Sequence, residues 1–105
     1  MVREIDPHLL TQVKNAYSRY LIAREKNNFR TLRTSNLVKY KEMITLIKGL
    51  ISEIEILLKN RELLEDKILT LNDETKKRYF ITLLNGLIGF KEELTKSKKL
   101  LESSA

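Results

Sequence analysis

The side chains that could do chemistry are few. Glu53, Glu55, Glu62, Glu65 and Asp66 crowd one short stretch of the chain. Two carboxylates in unlike surroundings can divide acid and base work between them. Here they alternate with Lys59, Arg61 and Lys67 at helical spacing, which is the pattern of a solvated face laced with pairs such as Glu55–Lys59. His8 is the sole histidine and there is no cysteine. A Ser-His-Asp triad would have to be built around His8, and thiolate catalysis, disulfides and Cys-based zinc sites are excluded. No glycine-rich phosphate loop or zinc-ligand spacing occurs. The sequence therefore predicts no catalytic residue, no cofactor site and no metal site, and a protein that acts by contact.

The cations carry more information. Residues 1–36 hold seven Lys/Arg against three Asp/Glu, residues 37–71 six against six, and residues 72–105 seven against five. Between Asp6 and Glu42 the only acid is Glu25, against eight basic residues. If residues 18–33 form one helix, Arg19, Lys26, Arg30 and Arg33 lie at i, i+7, i+11 and i+14, within about 60° of one another on a stripe ~20 Å long. Such a stripe can follow a phosphate backbone and makes nucleic acid a candidate partner. Tyr20 and Phe29 lie off it, so base stacking is not expected.

These residues have to be held by helices. Three Gly and one Pro leave almost no turn chemistry for an all-β fold. Asp6-Pro7 is a helix start, with Asp as cap and Pro in the first turn. Leu10, Val13, Tyr17, Tyr20 and Leu21 then recur at helical spacing. The stripe fails at Arg24 and Asn28 and reappears displaced at Phe29 and Leu32, so a stutter, kink or stop is expected near Asn27-Asn28. Ser35 or Asn36 is the cap of the next helix.

The middle of the chain is heptad-periodic. Met43, Leu50, Leu57, Leu64 and Leu71 are seven apart, and Tyr40, Ile47, Ile54, Arg61 and Ile68 form the companion row. This is an a/d seam with mainly β-branched residues at a and Leu at d. Ile44, Leu46, Ile51 and Leu58 widen its first half, as in a helix with two neighbours. A helix over 36–71 would be roughly 54 Å long. Arg61 on the seam is read as a stem covering the core with its head on a carboxylate of a neighbouring helix, or as an element that fixes register or partner.

Asn72 or Asp73 caps a third helix, in which Phe80, Leu87, Leu94 and Leu101 form another heptad row with Leu83 and Phe90 between them. Gly86 and Gly89 interrupt it, at about 1 kcal/mol each relative to Ala. A close approach or a local kink would account for them. The prediction is an all-α single domain over 1–105, with blocks at about 7–33, 36–71 and 73–102. These form an elongated antiparallel bundle of three main helices with a coiled-coil-like seam on the central one. The rows Ile47, Leu50, Ile54, Leu57, Arg61, Leu64, Ile68, Phe80, Leu83, Leu87 and Phe90 are the predicted partner interface, for a homo- or hetero-oligomer. No apolar run reaches the ~20 residues that span a bilayer, and "MVREIDPHLL" lacks the apolar core of a signal peptide. A soluble protein without membrane contact is expected, cytoplasmic or, in a eukaryote, nuclear.

Blocks two and three resemble the helical A domain of GINS proteins, the archaeal type in particular, over about residues 40–95. The resemblance lies in "EILLKNRELLEDKILTLND" followed by "ETKKRYFITLLNGLIGFKEEL", with Arg61, Lys67-Ile68, Asn72-Asp73-Glu74 and Tyr79-Phe80 at the matching positions. Glu65 and Asp66 depart from it, since more basic residues would be expected there. The small β-rich B domain that accompanies the A domain has no counterpart in the sequence. The resemblance implies a non-catalytic scaffold subunit of the replicative DNA helicase assembly, packing on sister chains and bridging to the MCM ring, a Cdc45-like protein or primase. The other readings are a stand-alone coiled-coil adaptor or secretion-type chaperone with no link to DNA, and a small basic nucleic-acid-binding protein. Chorismate mutase is also small and all-helical, but its spaced Arg and Lys pattern is not evident.

Overall fold

A computed structural model describes residues 4–103. Those residues are all-helical, in five helices: α1 His8–Lys26, α2 Leu32–Ser35, α3 Leu37–Lys59, α4 Arg61–Leu69 and α5 Glu74–Ser103. The Asp6 carboxylate accepts from the His8 N–H at 2.8 Å, and Pro7 already has helical dihedrals. Of the two candidates before α3 it is Asn36 that caps, accepting from the Lys39 N–H at 3.1 Å. Asp73 caps α5, accepting from the N–H groups of Thr75 and Lys76. In each case a short polar side chain satisfies donors that the first helical turn leaves open.

The first block does not run unbroken to Arg33. Asn27 is extended, at φ −129° and ψ 139°, and its amide donates back to the Ala23 carbonyl at 2.8 Å. The Asn28 side chain accepts from the Arg30 N–H at 3.0 Å and closes a turn. Phe29 and Leu32 are buried on the far side of that turn. The displaced apolar stripe in the sequence is therefore the signature of a chain that turns, not of a helix that stutters.

The central block is also two helices and not one. Asn60 leaves the helical region, at φ −107° and ψ 23°, and its amide donates to the Ile56 carbonyl at 2.8 Å. An asparagine amide competes with the backbone for the last carbonyls of a helix, so α3 closes and α4 starts one residue later. The heptad register survives the break, because Leu57, Leu64 and Ile68 are all fully buried. The third block runs unbroken through both glycines, with no residue at positive φ. A Cβ on Gly86 would lie 3.5 Å from the Phe90 ring of the same helix, and one on Gly89 would meet nothing within 4 Å. Neither glycine marks a close approach to another helix.

Long-range pairs fix the directions. His8 meets Phe80, Tyr17 stacks on Phe90 and Tyr20 is hydrogen-bonded to Ser97, so α1 and α5 run the same way. Glu55 pairs with Lys91 and Arg61 with Asn85, so α3 and α4 run against α5. The principal extents are 50 × 30 × 18 Å. One hydrophobic core runs the length of this body, from Ile5 to Leu101.

Candidate interaction surfaces

The predicted interface residues are mostly inside. Ile47, Leu50, Ile54, Leu57, Leu64, Ile68, Phe80, Leu83 and Leu87 are buried in the chain's own core. Phe90 is half-buried, stacked on Tyr17 with ring centroids 4.3 Å apart. The physical reason is that α1 supplies the missing wall: its buried residues Leu10, Val13, Tyr17 and Tyr20 belong to the same cluster as the leucine rows. A free a/d face would have called for a partner, whereas a face already covered within one chain does not.

Arg61 is the exception on the seam, being partly exposed. Its Nε donates to Glu65 at 2.9 Å and its Nη2 to the Asn85 side chain at 2.7 Å. The carboxylate it reaches is on its own helix, and the neighbouring helix offers an amide oxygen instead. Arg61–Glu65 is an intrahelical pair of the expected kind, whereas Glu55 faces Lys91 on α5 at 3.6 Å and not Lys59.

The predicted basic stripe is not one stripe. Arg19 and Lys26 lie on α1, Arg30 in the turn and Arg33 on α2, and the break at Asn27 separates the last two from the first two. All four are exposed, and the Arg33 guanidinium sits 3.5 Å from the Glu102 carbonyl near the end of α5.

Near the other end a cavity of about 300 Å³ is lined by Glu4, Asp6, His8, Lys67, Leu71, Lys76 and Phe80, with Pro7. Most of its polar groups already have structural partners. Asp6 caps α1, and the Lys67 ammonium donates to the Ile5 carbonyl. His8 is exposed and meets Phe80 edge-on at 5.9 Å. Among the described residues no group of three or more His, Cys, Asp or Glu side chains is placed to hold a metal ion, and no helix is long and apolar enough to cross a membrane.

Two features escaped the sequence reading. The first is an aromatic cluster of Tyr17, Tyr20, Phe29 and Phe90 at the α1–α5 contact. Inside it the fully buried Tyr20 hydroxyl pairs with Ser97, 77 positions away. Burial, and beyond it the nearby Tyr20 and Glu93, push the Tyr17 phenol above its ordinary value. The Arg24 guanidinium is raised chiefly by its hydrogen bond to Glu93, at 2.9 Å.

The second is a shallow trough along the outside of α1 and α3. Three depressions make it up. One is lined by Leu9, Gln12, Val13, Ala16, Leu50 and Glu53, and the next shares Ala16, Leu50 and Glu53 with it and adds Thr45, Leu46 and Gly49. The third shares Thr45 and adds Val38, Lys41 and Glu42. Its floor is low because Ala16 and Gly49 are small, and a Cβ on Gly49 would touch nothing within 4 Å. On α3 and α4 the aliphatic residues Val38 (69%), Ile56 (37%) and Leu63 (45%) are exposed, with Lys41, Glu42, Glu53 and Lys59 between them in sequence. Ile56 and Leu63 are seven apart on the side of the heptad opposite the seam, a signal present in the sequence but masked by the stronger rows.

No family model, curated protein or solved structure matches the chain.

Proposed function

We propose that this chain is a non-catalytic helical interaction module, acting in the cytoplasm or nucleus, that holds an amphipathic helix of another protein. In this reading α1, α3–α4 and α5 make an up-down-up three-helix bundle. The coiled-coil-like seam of the central helix lies inside it, so contact with a partner is made from outside. The carrying observation is the α1–α3 trough, floored by Ala16 and Gly49, together with the exposed aliphatic side chains Val38, Ile56 and Leu63 on α3 and α4. A helix laid in such a trough would bury apolar side chains at i, i+3, i+4 and i+7.

A GINS-like scaffold of the replicative helicase complex is one form of this module. What supports it is that the matching residues flank the α4–α5 junction. Ile68 and Phe80 are buried there, Asp73 caps α5, and Tyr79 is exposed with Lys14 over its ring at 5.2 Å. The adaptor or chaperone reading uses the same trough without DNA.

Gly49→Trp separates trough from fold. The site is open, so the substitution leaves the helices intact while filling the trough. In pull-downs with helicase components, or with proteins of the source cell, the wild type is expected to capture a partner and Gly49→Trp to lose it at least tenfold. Equal capture by both removes the trough from the account. Capture of other proteins but none of the helicase components discards the GINS-like form.

A further inference from the structure

We propose that the end of the bundle formed by the α1–α2 turn, the start of α3 and the end of α5 binds the phosphodiester backbone of nucleic acid. This inference rests on charge and not on the trough, which it adjoins at Lys41 and Glu42. Because α1 and α5 run the same way and α3 runs against α5, two segments far apart in sequence, 26–42 and 96–103, come to one end. Residues 26–42 and 96–103 hold eight Lys/Arg against two Asp/Glu, a net of +6. The remaining described residues hold eleven against twelve, a net of −1. Arg33 beside the Glu102 carbonyl is the direct contact between the two basic segments. The excess charge of the molecule is therefore a local property of one end, and solubility alone would not require it to be gathered there.

Helix electrostatics account for only part of it. Lys26 in the last turn of α1 sits where a helix dipole favours a cation, while the last turn of α5 holds no basic residue. Lys39 is in the first turn of α3, which holds no acid, and Lys41 lies one residue beyond it. That is the end of a helix where cations are disfavoured. Two of the eight cations have a carboxylate partner, Lys39 with Glu42 and Lys98 with Glu102. Lys26, Arg30, Lys41, Lys96 and Lys99 are exposed and have no carboxylate partner among the described residues. A phosphate backbone would supply the missing anions to cations coming from three elements at once. Phe29 is buried and Tyr40 half-buried, so among the described residues this end presents no exposed aromatic ring to stack on bases. Recognition is therefore of backbone charge and not of sequence.

The test titrates fluorescent single- and double-stranded DNA of two unrelated sequences into the full chain. Alongside the wild type go Arg30→Gln/Arg33→Gln/Lys41→Gln and a control altered at the opposite end, Lys76→Gln/Lys77→Gln/Arg78→Gln, in the first turns of α5. Circular dichroism confirms that each variant is helical, and single Lys41→Gln serves if the triple variant is not. The wild type should bind both sequences alike, and with about four phosphate contacts it should lose roughly 100-fold in affinity between 50 and 200 mM salt. The first variant should lose at least tenfold with a shallower salt slope, and the control less than threefold. Equal losses in the two variants, or affinity indifferent to salt, would overturn the proposal. So would binding to vesicles rich in anionic lipid with none to nucleic acid.

Discussion

Tyr20 and Ser97 illustrate how single residues set this fold. A phenol and a hydroxyl are both buried in an otherwise apolar core, and each is the other's partner across α1 and α5. The pair fixes the height of one helix against the other, because any slip would leave two polar groups without a bond. Tyr20→Phe and Ser97→Ala should each cost about 1–2 kcal/mol, and the double variant less than their sum, measured by urea unfolding in a double-mutant cycle. Additive costs would mean the two groups do not depend on each other. Tyr17 gives a pH prediction. Its pKa is raised in the folded chain, so its contribution is full below the ordinary value near 10 and is lost as pH climbs through the folded value. Stability should therefore fall from about pH 10 upward, and Tyr17→Phe should flatten that fall in thermal scans, other tyrosines being unchanged. The Tyr17, Tyr20 and Leu10 positions were legible as a core stripe. Their pairing with Ser97 and Phe90 was not, because helical spacing says which face is buried and not which residue lies opposite.

At the scale of elements, the caps were legible because they are local chemistry. Asp6, Asn36 and Asp73 each bond donors two or three residues away. The break at Asn27 was legible as a failure of the apolar stripe. The break at Asn60 was hidden, because the heptad rows pass through it in register and Leu57 and Leu64 are buried on both sides. A single asparagine with its amide on the Ile56 carbonyl was enough to close α3. The glycines of α5 have no packing duty that explains them both. Gly89 would admit a Cβ freely and lies inside a regular helix, so Gly89→Ala should stabilise by about 1 kcal/mol in denaturant unfolding. A destabilised Gly89→Ala would show that the helix is not regular there. Gly86→Ala should gain about as much, since its Cβ would meet the Phe90 ring at an ordinary van der Waals distance of 3.5 Å.

The whole molecule reverses the roles that the sequence suggested for its surfaces. The leucine rows looked like an interface because each helix, taken alone, exposes a seam. Folding brings α1 over α3 and α5, and the rows become core. The basic residues of the first block looked like one stripe on one helix. The turn at Asn27 breaks that stripe, and the fold regroups Lys26, Arg30 and Arg33 with cations of α3 and α5. All-helical character, caps and core positions could thus be read from periodicity and local chemistry. Which faces end up outside depends on how the helices close on one another, and periodicity does not hold that information. The heptad rows are satisfied within one chain. The most direct test of this is thermal unfolding, followed by circular dichroism, over an about 100-fold range of protein concentration. A chain whose core is its own should unfold at one midpoint throughout, with light scattering reporting a monomer. A midpoint that climbs with concentration, as for helices folded only as a dimer, would contradict the account.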